Sequence, residues 1–162
     1  MATIYEAHCL GGDFQQMVVA FPVYGYHLGE TPDVHLSAQL AWCCDCQMIV
    51  HAERLLPPEE AGSGAGGSVN RWVRRDAERY AEMLAARQGQ PKCLHCGGTN
   101  IIPASGQGSE RVLPHPGCGH NILFVHSGLA RLPNETLLYS PEGDYLTTVQ
   151  GVLWPGKGYG KE

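Results

Sequence analysis

The chain has 162 residues, 43% of them hydrophobic, with 21 glycines, 11 prolines and a net charge of −5. That is room for one ordinary domain, or for two small ones that need help from a metal, because so many turn formers leave a thin core. No stretch approaches the roughly 20 consecutive apolar residues of a membrane span. No Lys or Arg precedes Arg54, so an acidic N-terminal half disfavours broad binding to nucleic acid.

The first eight residues, Met1 to His8, lack the basic start and apolar stretch of a signal peptide. A reducing, cytoplasmic setting is therefore the expectation. Seven cysteines, an odd number, suit it. Close-set cysteines in such a setting are more often metal ligands than disulfides.

Taken in order, residues 1–56 read as a β-rich part. Strands are expected at Thr3–Ala7, Gln16–Phe21, Ala38–Trp42 and Gln47–Ala52, where β-formers such as Ile49 and Val50 gather. Gly25 to Gly29 reads as connecting loop. Residues 57–68, rich in Gly and Pro, read as a linker. Gly62, Gly64 and Gly67 match a dinucleotide-binding spacing, but no buried strand precedes them, so they belong to that linker. A helix is predicted over about 69–88, with Ser68 or Asn70 as cap, Gly89 after its end and Pro91 blocking continuation. Val69, Trp72, Val73, Ala77, Tyr80, Met83 and Leu84 form its apolar stripe. Arg71, Arg74, Arg75, Arg79 and Arg87 read as a solvated face.

Beyond the helix, strands are expected at Thr99–Ile102 and Asn121–His126, and a hairpin at about Thr136–Val149, turned by Ser140-Pro141-Glu142-Gly143. Residues 69–150 thus hold helix, ribbon and hairpin, and 151–162 read as a tail. The fold class is α+β, mainly β: short antiparallel strands forming one or two zinc ribbons, with one helix packed on them.

The chemistry concentrates at Cys93-Leu94-His95-Cys96-Gly97-Gly98. Two cysteines three apart on a tight turn present both sulfurs to one ion, and the glycine that follows lets the chain turn without a Cβ clash. Zinc takes four ligands in a tetrahedron, so a second pair is needed. Cys43 and Cys46 keep the same spacing. His115-Pro116-Gly117-Cys118-Gly119 offers a mixed pair eighteen residues or so further along. The all-thiolate set Cys43, Cys46, Cys93 and Cys96 is preferred, because thiolates bind zinc without needing a histidine tautomer. A two-site alternative puts Cys9 or His8 with Cys43, Cys44 and Cys46, and Cys93, Cys96, His115 and Cys118 around a second ion. Cys9-Leu10-Gly11-Gly12 looks like a further ligand turn without its second cysteine.

Trp42-Cys43-Cys44-Asp45-Cys46, then Glu53-Arg54-Leu55, then Pro91 to Thr99 around Cys93 and Cys96, resemble uncharacterised bacterial proteins containing a zinc-ribbon (rubredoxin-like) element. The later His115-Pro116-Gly117-Cys118-Gly119 is similar to a further element in such proteins. The resemblance spans about residues 40–120 and implies zinc, one ion or two, and a β-rich ribbon. It implies no reaction.

A redox role for the two C-x-x-C pairs is disfavoured, since neither opens a helix that would lower a thiol pKa. The expected function is a non-catalytic, zinc-stabilised module that binds another protein, with no membrane. A nucleic-acid-binding ribbon acting through the Arg71–Arg79 helix face is the rival. A third reading is a metalloenzyme with an open zinc site near Cys118, drawing on His115, His120 or His126.

Overall fold

The computed structural model describes residues 2–12, 14–20, 23–29, 33–57, 77–131, 133–154 and 158–160. Among these, the chain is mainly β, with thirteen strands, one α-helix and a short 3-10 turn. Two compact units are each assembled from three interleaved segments: 1–22, 39–52 and 92–133 in the first, 23–38, 53–91 and 134–162 in the second. The units therefore do not follow the consecutive stretches 1–56 and 69–150 that composition suggests.

In the first unit, β1 (Ala2–Cys9), β2 (Gln15–Ala20), β8 (Val112–Pro114) and β9 (Asn121–Ala130) form an antiparallel sheet of order β2-β1-β9-β8. β5 (Ala38–Cys43), β6 (Met48–Glu53) and β7 (Ile101–Pro103) form a second, of order β6-β5-β7. Alternation along β1 sends Tyr5, Ala7 and Cys9 inward, and Ile4, Glu6 and His8 to the opposite face. The inward set joins Val18, Leu113, Ile122 and Phe124 of its own sheet with Leu40, Trp42 and Ile49 of the other in one apolar cluster. Each large side chain buried there contributes about 1.5–3 kcal/mol.

In the second unit, β3 (Tyr24–Tyr26), β4 (Val34–His35), β10 (Glu135–Tyr139) and β11 (Tyr145–Gln150) form a sheet of order β11-β10-β3-β4. β3 and β10 pair in parallel, which joins segments far apart in the chain. The loop expected at Gly25–Gly29 thus begins inside a strand. A Cβ on Gly25 would lie 3.0 Å from Leu138 Cδ2 and 3.3 Å from Leu153 Cδ2. The glycine is there because two leucines fill its place, a close approach that reads as a loop in sequence. Ser140–Gly143 closes the β10–β11 hairpin, with Gly143 N–H donating to Ser140 O at 2.9 Å. The stretch read as a tail carries β12 (Val152–Trp154) and β13 (Gly158–Gly160), which pair antiparallel.

Helix α1 spans Ala77–Ala86 and buries Tyr80 and Met83, one turn apart on the expected stripe. The expected start of this helix, with Val69, Trp72 and Val73, lies outside the described residues, as does the linker from residue 58 onward. Just past α1, Arg87 departs from the solvated-face reading. Its side chain is 2% exposed and grips Glu53, itself fully buried, through two nitrogens at 2.7 and 2.5 Å. Tyr26 O–H donates to the same carboxylate at 2.7 Å, and Pro141 O accepts from Arg87 at 3.0 Å. Burial, then the Glu53 charge, raises the Tyr26 pKa well above the ordinary value and keeps the phenol neutral.

Candidate metal centres

Three turns of the first unit share one backbone design. Gln47 N–H donates to Cys43 O at 2.9 Å, Gly97 N–H to Cys93 O at 2.8 Å, and Gly119 N–H to His115 O at 3.1 Å. In each, the donor follows the second candidate ligand and lies in the left-handed region, with φ of 54°, 77° and 71°. Glycine takes that conformation freely; Gln47 does so against the usual preference of a residue with a Cβ. Two of these turns are closed further out in the same way, by Cys93 N–H to Gly98 O at 2.8 Å and His115 N–H to His120 O at 2.9 Å. Cys9 N–H donates likewise to Phe14 O at 3.0 Å. The C-x-x-C and H-x-x-C spacings therefore act as a backbone template that turns two ligand side chains to one side.

Cys43, Cys46, Cys93 and Cys96 form the first cluster, their four sulfurs all within 4.8 Å of one another. The turn between β5 and β6 supplies one pair, and the turn ahead of β7 supplies the other. A backbone bridge between Ala52 and Cys93, with Leu94 N–H donating to His51 O at 2.9 Å, sets the two turns side by side. Cys43 Sγ lies 3.7 Å from Cys96 Sγ, and Cys46 Sγ lies 4.0 Å from Cys93 Sγ. Sulfurs placed 2.3 Å from a tetrahedral zinc are separated by about 3.8 Å, whereas a disulfide is about 2.05 Å long. The spacing fits a tetrahedron and no S–S bond.

The electrostatics also favour a cation. Burial pushes the Cys93 thiol up to about 11, and burial followed by hydrogen bonds with the Cys96 and Cys43 sulfurs raises Cys46. The Cys96 thiol is lowered, first by the Gly98 N–H that donates to its sulfur at 3.4 Å. Val50, Met48 and Ile101 pack around this cluster, so four thiolates there would repel in apolar surroundings. A divalent ion reverses that balance and deprotonates its ligands.

The second cluster comprises Cys9, His115 and Cys118. Cys118 Sγ lies 3.1 Å from Cys9 Sγ and 3.0 Å from His115 Nδ1. Edges around zinc would be about 3.5–3.8 Å, so an ion here has to spread the triangle by roughly half an ångström. The His115 ring is held against the core, its centroid 4.7 Å from Trp42 and 5.5 Å from Phe14. Cys9 ends β1, and the other two sit on the turn between β8 and β9. All three donors therefore gather at one end of the four-stranded sheet.

The structure thus brings together the preferred all-thiolate set. It separates His115 and Cys118 from Cys93 and Cys96, and places Cys9 with them instead of with Cys43, Cys44 and Cys46. Cys44 packs against the apolar cluster of the first unit. His8 follows the outward alternation of β1 and faces away from Cys9. Sequence spacing marked Cys9 only as an incomplete turn; the signal for its partners is the pairing of β1 with β9, which aligns Cys9 with Ile122. Of the helix arginines proposed to contact nucleic acid, Arg71, Arg74 and Arg75 lie outside the described residues. No described helix is long and apolar enough to cross a membrane. No protein family, curated protein or solved structure matches this chain.

Proposed function

We propose that this chain is a non-catalytic, zinc-stabilised module whose first unit engages another protein. The observation that carries the zinc part is four sulfurs gathered within 4.8 Å of one another, two of their separations, 3.7 and 4.0 Å, near a tetrahedral edge. Four protein ligands leave no coordination position for water or substrate, which is the mark of a structural site. Zinc content per chain tests it. Cys43→Ser and Cys93→Ser should each remove one ion, and full retention of metal in both variants would sink the reading.

A surface of the β2-β1-β9-β8 sheet supports the partner. Met17, Val19 and Val125 are exposed at 57%, 37% and 50%. Cross-strand register puts Met17, Glu6 and Val125 in one row, and Val19 and Ile4 in the next. An exposed sheet face where Met17, Val19 and Val125 surround the Glu6 carboxylate is the kind of mixed patch that proteins bind. A Met17→Glu, Val125→Glu variant should keep its zinc and lose nuclease-resistant, salt-resistant co-purification with its partner. Retention of that partner by the double variant would count against this face, and nuclease-sensitive retention would favour the nucleic-acid reading.

A further inference from the structure

We propose that Cys9, His115 and Cys118 hold a second zinc ion and that His120 is its fourth ligand. The inference shares its chemistry with the zinc reading above but stands on a different set of residues.

The second cluster repeats the layout of the first. In each, two tight turns at the end of a sheet face one another across the candidate ion. The β8–β9 turn delivers His115 and Cys118, as the turn ahead of β7 delivers Cys93 and Cys96. The β1–β2 turn delivers Cys9, with Gly12 N–H donating to Cys9 O at 2.9 Å and Gly11 N–H to its sulfur at 3.4 Å. Three residues after Cys9, where a second ligand would stand, the chain has Gly12. One vertex of the tetrahedron is therefore missing from this turn.

The His120 ring lies beside that gap. A Cβ on Gly11 would sit 3.1 Å from His120 Nδ1 and 3.6 Å from Cys118 Sγ. The ring and the sulfur thus both border this turn, and a Cβ at Gly11 would crowd the ring while merely touching the sulfur. In this structure His120 Nδ1 contacts Cys118 O at 3.1 Å and stands outside the three-donor cluster. His120 is exposed, so rotation about its side-chain bonds moves the ring onto the ion without disturbing the core. His8 points to the other face of β1. His126 packs against Tyr5, with ring centroids 6.3 Å apart, further along β9. Two thiolates and two neutral imidazoles also balance the charge of a zinc ion. Such a site clamps the β1–β2 turn to the β8–β9 turn and is closed, so it carries no catalytic water.

The test uses the full chain loaded with zinc or cobalt(II). Two ions per chain are expected, one lost on Cys43→Ser and the other on Cys118→Ser. A single ion that is insensitive to Cys118→Ser would overturn the second site while leaving the first intact. His120→Ala should fold, because the side chain is exposed, and should weaken the second site at least tenfold, since even outer-shell losses cost roughly 10–100-fold. It should also shift the cobalt absorption of that site away from the four-ligand pattern. His126→Ala should do neither. Unchanged affinity and spectrum in His120→Ala would show a fourth position filled by water and would sink the assignment.

Discussion

The two units solve the same problem of a thin core with different chemistry. Every one of the seven cysteines lies in the first unit, and the second has none. The second instead buries Glu53 and Arg87 as a two-bond ion pair, with the Tyr26 phenol on the carboxylate. In the first, the sheet ends carry cysteine and histidine donors grouped closely enough to hold a cation from outside. In the second, the cation is part of the chain. The contrast teaches that stability drawn from a metal is conditional on its supply, whereas a covalently supplied guanidinium is always present and never leaves.

Removing metal should break the comparison most sharply. Apparent binding energies for structural zinc are about 10–16 kcal/mol at neutral pH. Exhaustive chelation should therefore abolish amide-exchange protection in β5, β6 and β7 and leave α1 and β10 protected. Equal loss in both units would show that they do not differ in the way described.

The converse experiment is Arg87→Ala. It leaves Glu53 charged, buried and without its guanidinium, which costs about 3–5 kcal/mol. Denaturant unfolding should register that loss, with zinc content unchanged. A smaller loss is expected on acidification. Burial lowers His35 in the second unit to about 4, from an ordinary 6.5. A base with a depressed folded pKa is protonated first in the unfolded chain. Its share of stability is thus complete above pH 6.5 and is lost as pH falls towards 4, by at most roughly 3 kcal/mol. His35→Gln should flatten the slope of stability against pH in that window; an unaltered slope would exclude His35 as its source.

Gly143→Ala sharpens the picture of the ion pair. Gly143 has φ of 82°, and a Cβ there would lie 2.6–2.7 Å from the Glu53 carboxylate atoms. A destabilisation of about 2 kcal/mol is expected from strain and crowding together, and thermal unfolding measures it. Smallest of all should be Cys44→Ala, which touches no ligand set. It should keep the full zinc content and shift stability by no more than about 1 kcal/mol.

Local chemistry made much of this legible. Alternating β-formers predicted β1, β2, β5, β6 and β9 within a few residues, because a half-buried strand writes its two faces directly into the chain. Tyr80 and Met83 announced the buried face of α1 in the same way, through helical spacing. Short strands such as β3, β4 and β8 escaped notice, since two or three residues carry no period. The Arg87 pairing with Glu53 was hidden because 34 residues separate them and an arginine after a helix usually meets water.

From the sequence by itself came the mainly β class and the ligand turns, because a C-x-x-C turn and an alternating strand are each set by neighbours a few residues apart. Which turns face one another was decided only by the tertiary structure. Strand pairing laid Cys9 beside His115 and Cys118 and set Cys43 and Cys46 opposite Cys93 and Cys96, while packing of the second unit brought Arg87, just past α1, to Glu53. Contacts between distant segments follow from sheet order and shared burial, which no local pattern encodes.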